Sequence, residues 1–390
     1  MKRFVFFACW IATAFAQDVS NEEIAGLKRS DSIPQESVKG APDPYFEGYI
    51  QALVDMHFYE YKVIVLVKDH TVWITNIPKN ALLANSIKAF VKDIPGVESV
   101  KILDGVPPKE IIAREKYVTR PKIKGIWFPQ STELFQPMIA NPRAAIYSIG
   151  YRGGDRVCGK KAVYISLGDD FAIFRWLDIF RWHGDLQIGI EAAIWSVFNM
   201  DPPKPKINPG TELVNTDYYV GIPLSYAVNK WAFRFRGYHI SSHLGDEFLV
   251  NHPGYKRKNP SYEALDFFSS YQASDAVRLY FGPGVIVHSD DSFPMKNLYV
   301  EYGGEVRFSG TRMYYHRLYG TWVVGVYFRN WQFLKWEMDG TYCAGYEWSK
   351  LQGIGRKIRI LASFHHGFSL EGQFMKKRTE YGTIGLAYGF

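Results

Sequence analysis

The last twelve residues of the chain are Thr379-Glu380-Tyr381-Gly382-Thr383-Ile384-Gly385-Leu386-Ala387-Tyr388-Gly389-Phe390. Bulky apolar residues alternate in it with small or polar ones, and the bulky positions are Ile384, Leu386, Tyr388 and Phe390. Because successive side chains of a β-strand point to opposite faces, all four project from one face. A strand with a continuous apolar face and an aromatic last residue is typical of a barrel wall that meets lipid. The stretch therefore predicts a membrane-spanning strand.

The same ending carries a pattern at fixed distances from the terminus. A polar residue, a glycine and two aromatics stand at Thr383, Gly385, Tyr388 and Phe390. This arrangement resembles the carboxyl-terminal assembly signal of bacterial outer-membrane proteins. The resemblance implies the outer-membrane assembly machinery as a partner and the bacterial cell outer membrane as the location.

The other end of the chain predicts export. Lys2 and Arg3 precede an apolar run from Phe4 to Phe15, and Ala14-Phe15-Ala16 has the small-x-small form of a cleavage site. We therefore expect residues 1–16 to be a cleaved secretory signal peptide, since the apolar run is too short to span a bilayer. The polar, proline-containing residues 17–44 are predicted to be a linker.

Composition favours a membrane barrel over a soluble secreted protein. Aromatic residues make up 16% of the 390 residues, and glycine is frequent with 34 copies. Aromatic girdles and many turns produce this mixture in a transmembrane β-barrel. Beyond the signal, no apolar run reaches the roughly eighteen residues of a transmembrane helix. The net charge of +7 comes without a nucleic-acid-binding motif, so we expect no nucleic-acid partner.

Residues 45–103 have the pattern of a small α+β domain, with predicted elements in the order helix-strand-strand-helix-strand. The hairpin at Asp69–Thr71, Ile74 and the segment Pro95–Val100 resemble the BON domain, a small module of envelope proteins. His70 and Asn76 depart from its pattern, because glycine is usual at the first position and frequent at the second. The resemblance implies contact with periplasmic lipid or the cell wall, and the alternative is an unrelated spacer domain.

Strand-like segments fill the chain from residue 143 to the end, after a linker predicted at residues 104–142. We predict twelve strands, an even number as in single-chain bacterial barrels. They lie at 143–152, 161–177, 186–198, 214–228, 231–246, 262–273, 276–288, 297–308, 313–328, 333–348, 357–367 and 378–390. The predicted fold is mainly β, an antiparallel transmembrane barrel preceded by the small BON-like domain.

Loop lengths give this barrel an orientation. With the amino-terminal domain in the periplasm, the short turn Asn229-Lys230 falls on the periplasmic side, and the long loops Pro202–Leu213 and Phe248–Ser261 fall outside. Over its mature length the chain resembles an uncharacterised outer-membrane family known mainly from Chlamydia-like bacteria, through Gly184–Glu191 and Tyr238–Phe248. That resemblance implies architecture and location, and it implies no activity.

The predicted strand Trp231–His243 is the segment with chemical content. Because side chains alternate along a strand, Arg234 and Arg236 lie on one face. The other face carries aromatic residues such as Phe235, followed by a polar cluster of His239, Ser241 and His243. An arginine that faces hydrocarbon near the midplane costs roughly 2–4 kcal/mol, so both arginines are predicted to face the lumen. The polar cluster then faces lipid, unless a bulge at Gly237 reverses the register.

His239 and Ser241 are close enough on one strand face for imidazole and hydroxyl to meet. A neutral imidazole can activate a hydroxyl for attack on an ester. The pair resembles the His-x-Ser element of outer-membrane acyl hydrolases, the lipid A deacylases and phospholipases, which makes His239 the base and Ser241 the nucleophile. Ser242 stands where that element usually has asparagine or glycine. The orienting carboxylate is left open, with these candidates: Glu247, Asp246, Glu263 and Asp266.

Three functions are open from the sequence, each with outer-membrane lipid as a partner. The first is an envelope protein without catalysis, whose BON-like domain contacts periplasmic lipid or the cell wall. The second is the membrane-facing acyl hydrolase, and the third is a narrow channel that draws anions with Arg234 and Arg236. No metal motif or cofactor fingerprint is recognisable, so the cofactor is unknown. Pairing of Cys158 with Cys343 is left open.

Overall fold

The computed structural model of the chain describes residues 43–58, 61, 63–103, 124–129, 133–201, 210–310, 319–349 and 355–390. The predicted signal peptide, nearly all of the linker at residues 17–44 and residues 104–123 of the second linker lie outside the described residues. In the described ranges, no helix has both the length and the apolar character needed to cross a membrane.

The amino-terminal part is a small α/β unit. It consists of α1 (Asp43–Phe58), β1 (Ile64–Lys68), β2 (Thr71–Thr75), α2 (Ala81–Lys92) and β3 (Ser99–Ile102). β2 lies in the middle of the sheet, antiparallel to β1 and parallel to β3. The two helices pack on the sheet through buried apolar side chains, among them Phe46, Ile50, Ile74, Ile87 and Phe90.

The β1–β2 turn needs a left-handed backbone at both central residues, as two-residue hairpin turns commonly do. Asp69 and His70 adopt this conformation with φ of 48° and 57°. Asn76 is left-handed as well, with φ of 59°. The two positions at which the sequence departs from the glycines of the BON pattern therefore keep a backbone that glycine adopts most easily.

The rest of the chain is a closed antiparallel barrel. Its strands are β5 (Tyr147–Asp155), β6 (Gly159–Ile179), β7 (Gly184–Asn199), β8 (Glu212–Val228), β9 (Trp231–Leu244), β10 (Ser261–Gln272), β11 (Val277–Ser289), β12 (Leu298–Arg307), β13 (Tyr319–Trp331), β14 (Met338–Ser349), β15 (Lys357–Phe368) and β16 (Arg378–Gly389). β16 pairs with β5, which closes the ring, and the predicted count of twelve strands is confirmed. The short β4 (Gly125–Trp127) is added to the edge of β6.

The ends of the barrel are distinguished by the amino-terminal unit. The backbone N–H of Ala81 donates to Asn229 O at 3.0 Å, and that of Asn229 donates to Lys79 O at 3.2 Å. This joins the start of α2 to the two-residue turn between β8 and β9, and we call that end proximal. The connections from β7 to β8 and from β9 to β10 leave their strands at the opposite, distal end, as predicted for these two long loops, whereas the long connection from β12 to β13 is proximal.

The exterior face of the barrel is apolar, as a bilayer requires. Every strand from β5 to β16 contributes exposed large apolar side chains, such as Ile149, Phe171, Ile222, Phe235 and Trp322. On β16, Ile384, Leu386 and Tyr388 are exposed as the alternation predicts. Phe390, expected on the same face, is instead buried, because the strand ends at Gly389 and the ring packs 4.3 Å from the Arg356 guanidinium.

The lumen is filled by residues 133–146, which precede β5. Arg278 Nη2 on β11 donates to Gln136 O at 2.7 Å, and Lys357 Nζ on β15 donates to Gln136 Oε1 at 2.8 Å. Ile139 N donates to Glu305 on β12 at 3.1 Å. We call residues 133–146 the lumen segment. The predicted linker at residues 104–142 thus includes, from residue 133, a stretch that is packed inside the barrel.

The loop between β15 and β16 folds into the distal mouth and meets the lumen segment. Arg143 Nη2 lies 2.6 Å from Asp217 Oδ2 and donates to Leu370 O at 2.5 Å. Glu371 is buried in the same place, and burial alone would raise its pKa, but the Arg152 and Arg143 guanidinium groups hold the pKa below its ordinary value. Beside the lumen segment, cavities of about 70 and 90 Å³ have room for only a few waters.

A filled lumen predicts that the full chain, reconstituted in a planar bilayer, carries no steady ion current. Two independent pieces of the chain occupy the lumen, and each is held by hydrogen bonds to the wall. Conductance recordings in about 1 M salt measure this. A stable, ohmic, anion-selective channel formed by the intact chain would contradict the filled lumen and support transport.

Candidate functional site

β9 keeps its register through Gly237. It pairs with β8 and β10 residue by residue, and neither ladder contains a bulge. His239 lies opposite Val220 on β8 and Glu263 on β10. The reversal that a bulge at Gly237 would have produced is absent from this strand, so His239, Ser241 and His243 share the exterior face with Phe235.

The two arginines of β9 face the lumen, and neighbouring groups balance them. Arg236 donates to Asp266 at 2.6 Å through Nη2 and to Glu191 at 3.0 Å through Nη1. Arg234 is buried, with its guanidinium 4.6 Å from the centre of the Phe135 ring in the lumen segment. Buried arginines that are paired or stacked in this way hold the interior together and present little free charge to a passing anion.

On the exterior face, a carboxylate joins two histidines. Glu263 Oε1 lies 2.7 Å from His239 Nδ1, and Glu263 Oε2 lies 2.7 Å from His288 Nδ1. The side chains of His239 and Glu263 are 40% and 43% exposed, so both can reach a molecule outside the barrel wall. His239 Nε2 has no hydrogen-bond partner among the described residues.

A β-bulge brings His288 to this face. The ladder between β10 and β11 shifts between Glu263 and Ala264, because Glu263 pairs with His288 while Ala264 pairs with Ile286. Val287 is the extra residue, and His288 therefore projects beside Glu263 instead of into the lumen. Bulges that re-aim a side chain in this way are frequent next to functional sites.

Ser241 lies on the same face of β9 as His239, two residues closer to the distal end. The strand rise places their backbone positions roughly 6.6 Å apart, a gap that the two side chains can bridge. The Ser241 hydroxyl forms no hydrogen bond within the described part of the chain, and it is not hydrogen-bonded to His239 in this state. Both groups are thus available to a third molecule placed between them.

The depth of Ser241 follows from strand geometry. A strand that rises about 3.3 Å per residue and is tilted by about 40° covers roughly 25 Å of membrane in ten residues. Trp231 is exposed at the proximal edge of the apolar exterior, and ten residues further along β9 lies Ser241. The serine is therefore at the distal edge of the apolar belt, beside the exposed Tyr218 and Val220. Ester groups of lipids lie at this depth, between acyl chains and headgroups.

The remaining acidic candidates lie elsewhere. Glu247 and Asp246 are in the first turn of α3 (Asp246–Asn251), and Asp266 is in the lumen against Arg236. Glu263 was one of four acidic residues that the sequence offered as the carboxylate partner of His239. The sequence alone does not single it out, because the contact depends on the β9–β10 pairing register. His288 was not expected at this site, and only the bulge reveals it.

A buried cluster near the distal end contains carboxylate and thiol groups of the kind that bind metal ions, but an arginine side chain already pairs with its carboxylates. Asp155, Cys158 and Glu371 bring their ligand atoms together. Arg152 Nη1 occupies the position of a cation, 2.8 Å from Glu371 and 3.2 Å from Asp155. The residues present therefore do not fit a metal ion. Cys158 and Cys343 are both free thiols, which answers the open question of a bridge between them.

A family model described as "Protein of unknown function (DUF1207)" matches residues 57–390. No curated protein matches the chain.

Several outer-membrane proteins of known structure are similar to the chain. The Salmonella typhi outer membrane phospholipase (OMPLA), a dimer with bound calcium, is 12% identical, and the match covers 64% of this chain and 93% of that chain at a TM-score of 0.41. LpxR from Salmonella typhimurium is 12% identical over 62% and 99% of the two chains, at a TM-score of 0.31. A mutant porin from Rh. blastica is 8% identical over 63% and 98%, at a TM-score of 0.26.

The facing of β9 can be tested by cysteine labelling. In a background with Cys158→Ala and Cys343→Ala, we expect Phe235→Cys, His239→Cys and Ser241→Cys to react with a lipid-soluble maleimide in membranes. Ile240→Cys, on the opposite face of the same strand, is the matched control and should stay unlabelled. Mass spectrometry measures the labelled fraction. Labelling at position 240 with protection at 241 would mean that the strand faces the other way.

Proposed function

The chain belongs to the DUF1207 family of proteins of unknown function, and we propose that it is an outer-membrane acyl ester hydrolase whose site faces the membrane. The observation that carries this proposal is the 2.7 Å contact of Glu263 Oε1 with His239 Nδ1, beside Ser241 on the barrel exterior. A carboxylate, an imidazole and a hydroxyl in this order are the components of a serine hydrolase triad. The carboxylate of the triad is Glu263, in place of Glu247.

The first half of the reaction follows from these positions. Glu263 accepts the Nδ1–H of His239 and so fixes the tautomer in which Nε2 is the base. Nε2 takes the proton of Ser241 as Oγ attacks the ester carbonyl carbon of a lipid. The tetrahedral intermediate collapses when His239 gives that proton to the departing alcohol oxygen. The acyl group is then bound to Ser241 as an ester.

The second half uses water and returns the site to its starting state. A water molecule gives a proton to His239 Nε2 while its oxygen attacks the acyl carbon. The Ser241 oxygen leaves and recovers the proton, and a fatty acid is released. Throughout, the negative charge of Glu263 stabilises the protonated imidazole, and His288 contacts the second oxygen of the same carboxylate at 2.7 Å.

Ser242 takes no part in this chemistry. Its hydroxyl points to the lumen, where it donates to Asn215 Oδ1 at 3.0 Å. The residue that follows the nucleophile therefore supports the wall of the barrel, although acyl hydrolases with a similar His-x-Ser element usually have asparagine or glycine there. Tyr218 and Val220 flank the serine on the exterior and provide an apolar surface for an acyl chain.

We also propose the orientation and a role for the amino-terminal unit. The predicted export signal and the distal position of the long loops support a proximal end that faces the periplasm. Residues 43–103 would then lie in the periplasm, held to the barrel at Asn229, within reach of lipid or the cell wall. This is the contact that the BON-like resemblance implies, and it is compatible with catalysis at the other end.

The triad predicts the effects of three substitutions on ester hydrolysis. Ser241→Ala and His239→Ala should each lower kcat/KM for a lipid ester at least about a thousandfold, because each removes a reacting group. Glu263→Gln should lower kcat/KM by about a hundredfold to ten-thousandfold, since the amide carries no charge and misdirects the tautomer. Release of fatty acid in mixed micelles measures all three.

The matched control is Ser269→Ala. Ser269 is also on the exterior face of the barrel wall, on β10, but it lies toward the proximal end, where its hydroxyl donates to Phe281 O at 3.2 Å. We expect full activity from this variant. Equal rates for Ser241→Ala and the native chain would eliminate the hydrolase.

A further inference from the structure

Two distal loops carry five basic side chains, and one of these side chains contacts His243, beside the proposed site. The five are Lys256, Arg257 and Lys258, between β9 and β10, and Lys376 and Lys377, between β15 and β16. We call this set the basic rim. All five are exposed, and in the part of the chain that the structure describes no carboxylate forms a salt bridge with any of them.

The two loops are fastened to each other and to β9. Gln373 Nε2 donates to Lys258 O and to Ser242 O, both at 2.9 Å. Tyr255 OH donates to Gln373 O at 3.3 Å. Lys258 and Lys376 come from different loops, yet their ammonium groups lie 6.0 and 4.6 Å from the centre of the same Phe293 ring. The basic rim is thus a built arrangement, and its charges are collected at one place.

The basic rim is also joined to the exterior face that carries the serine. Arg257 Nη2 donates to His243 Nδ1 at 3.3 Å, and His243 is two residues from Ser241 on the same face of β9. Asp290 touches the same loop, but its oxygens accept from Asn259 at 2.7 Å and from Ser292 at 2.6 Å. Within the described residues, none of the five basic groups has a carboxylate oxygen at salt-bridge distance.

We propose that the basic rim binds the anionic, phosphate-bearing headgroup of the lipid whose ester lies at Ser241. A lipid that places its acyl ester at the edge of the apolar belt extends its headgroup outward from the serine, toward Arg257 and the lysines. Basic groups attract an anionic lipid surface, and salt screens the attraction. This inference rests on the proposed hydrolase and adds its substrate class, an acyl lipid with a negatively charged headgroup.

The test separates headgroup binding from chemistry. The full-length Ser241→Ala chain in detergent micelles is titrated with short-chain phosphatidylglycerol, which is anionic, and with short-chain phosphatidylcholine, which is zwitterionic. We expect tighter binding of the anionic lipid by about tenfold at low salt. Replacing all five residues of the basic rim by glutamine should abolish that difference and leave the zwitterionic lipid unaffected. Lys160→Gln with Lys161→Gln, two exposed lysines elsewhere at the distal end, is the control and should keep the preference.

Competition with inorganic phosphate distinguishes a site for a lipid headgroup from a site for a free anion. A basic rim made for a lipid headgroup should bind the anionic lipid in its presence. Displacement of the lipid by inorganic phosphate at equal concentration would overturn the inference in favour of a free-anion site. Equal binding of the two lipids by the native rim, or an anionic preference that survives in the variant with all five residues replaced by glutamine (the fivefold variant), would overturn it as well. If the fivefold variant does not fold, the double variant Lys256→Glu with Lys376→Glu is tested in the same way.

Turnover measurements keep the two proposals apart. With Ser241 present, the fivefold variant should lose about tenfold in kcat/KM on the anionic ester and keep its rate on the zwitterionic one. A chain that binds the anionic lipid through the basic rim but releases no fatty acid would refute the hydrolase and leave the headgroup surface standing. A chain that cleaves both lipids at equal rates would refute the surface alone.

Discussion

The closure of the sheet between β16 and β5 is the constraint on which the rest of the structure depends. A bilayer offers no water to satisfy backbone groups, so every strand must be hydrogen-bonded on both sides. The register Gly385↔Gly150 joins the last strand to the first and removes both edges. Once the ring is closed, strict alternation divides each strand into a lipid side and a lumen side. The facing of His239, Ser241 and Glu263 follows from that division.

Closure also creates an interior that must be filled. The lumen receives charged side chains in compensating sets, such as Glu305 with Arg278 at 3.3 Å and Arg307 at 3.0 Å. The lumen segment supplies backbone carbonyls and apolar rings that complete this packing. The interior is accordingly a filled core, and the proposed site lies on the exterior face, where His239, Glu263 and Ser241 are exposed or half-buried. The site is thus built on strands whose positions the filled core fixes.

Much of this architecture was accessible from sequence, because alternation with period two is a local signal. It predicted twelve strands, the lumen side of Arg234 and Arg236 and the exterior side of Phe235. The lumen segment was predicted as a linker, since its burial depends on β11, β12 and β15, which lie more than a hundred residues away in the chain. Glu263 could not be chosen for a related reason. Its approach to His239 depends on a pairing register that no single strand contains, and His288 arrives only through a bulge.

In the proposed hydrolase, Ser241 is a nucleophile that His239 activates at the lipid surface. The most direct measurement is covalent trapping with an alkyl fluorophosphonate in membranes, followed by mass spectrometry of the modified peptide. We expect one phosphonyl adduct, on Ser241, that forms in the native chain and is lost in His239→Ala. An unmodified Ser241 in the native chain, or an adduct that forms equally fast without the imidazole, would contradict it.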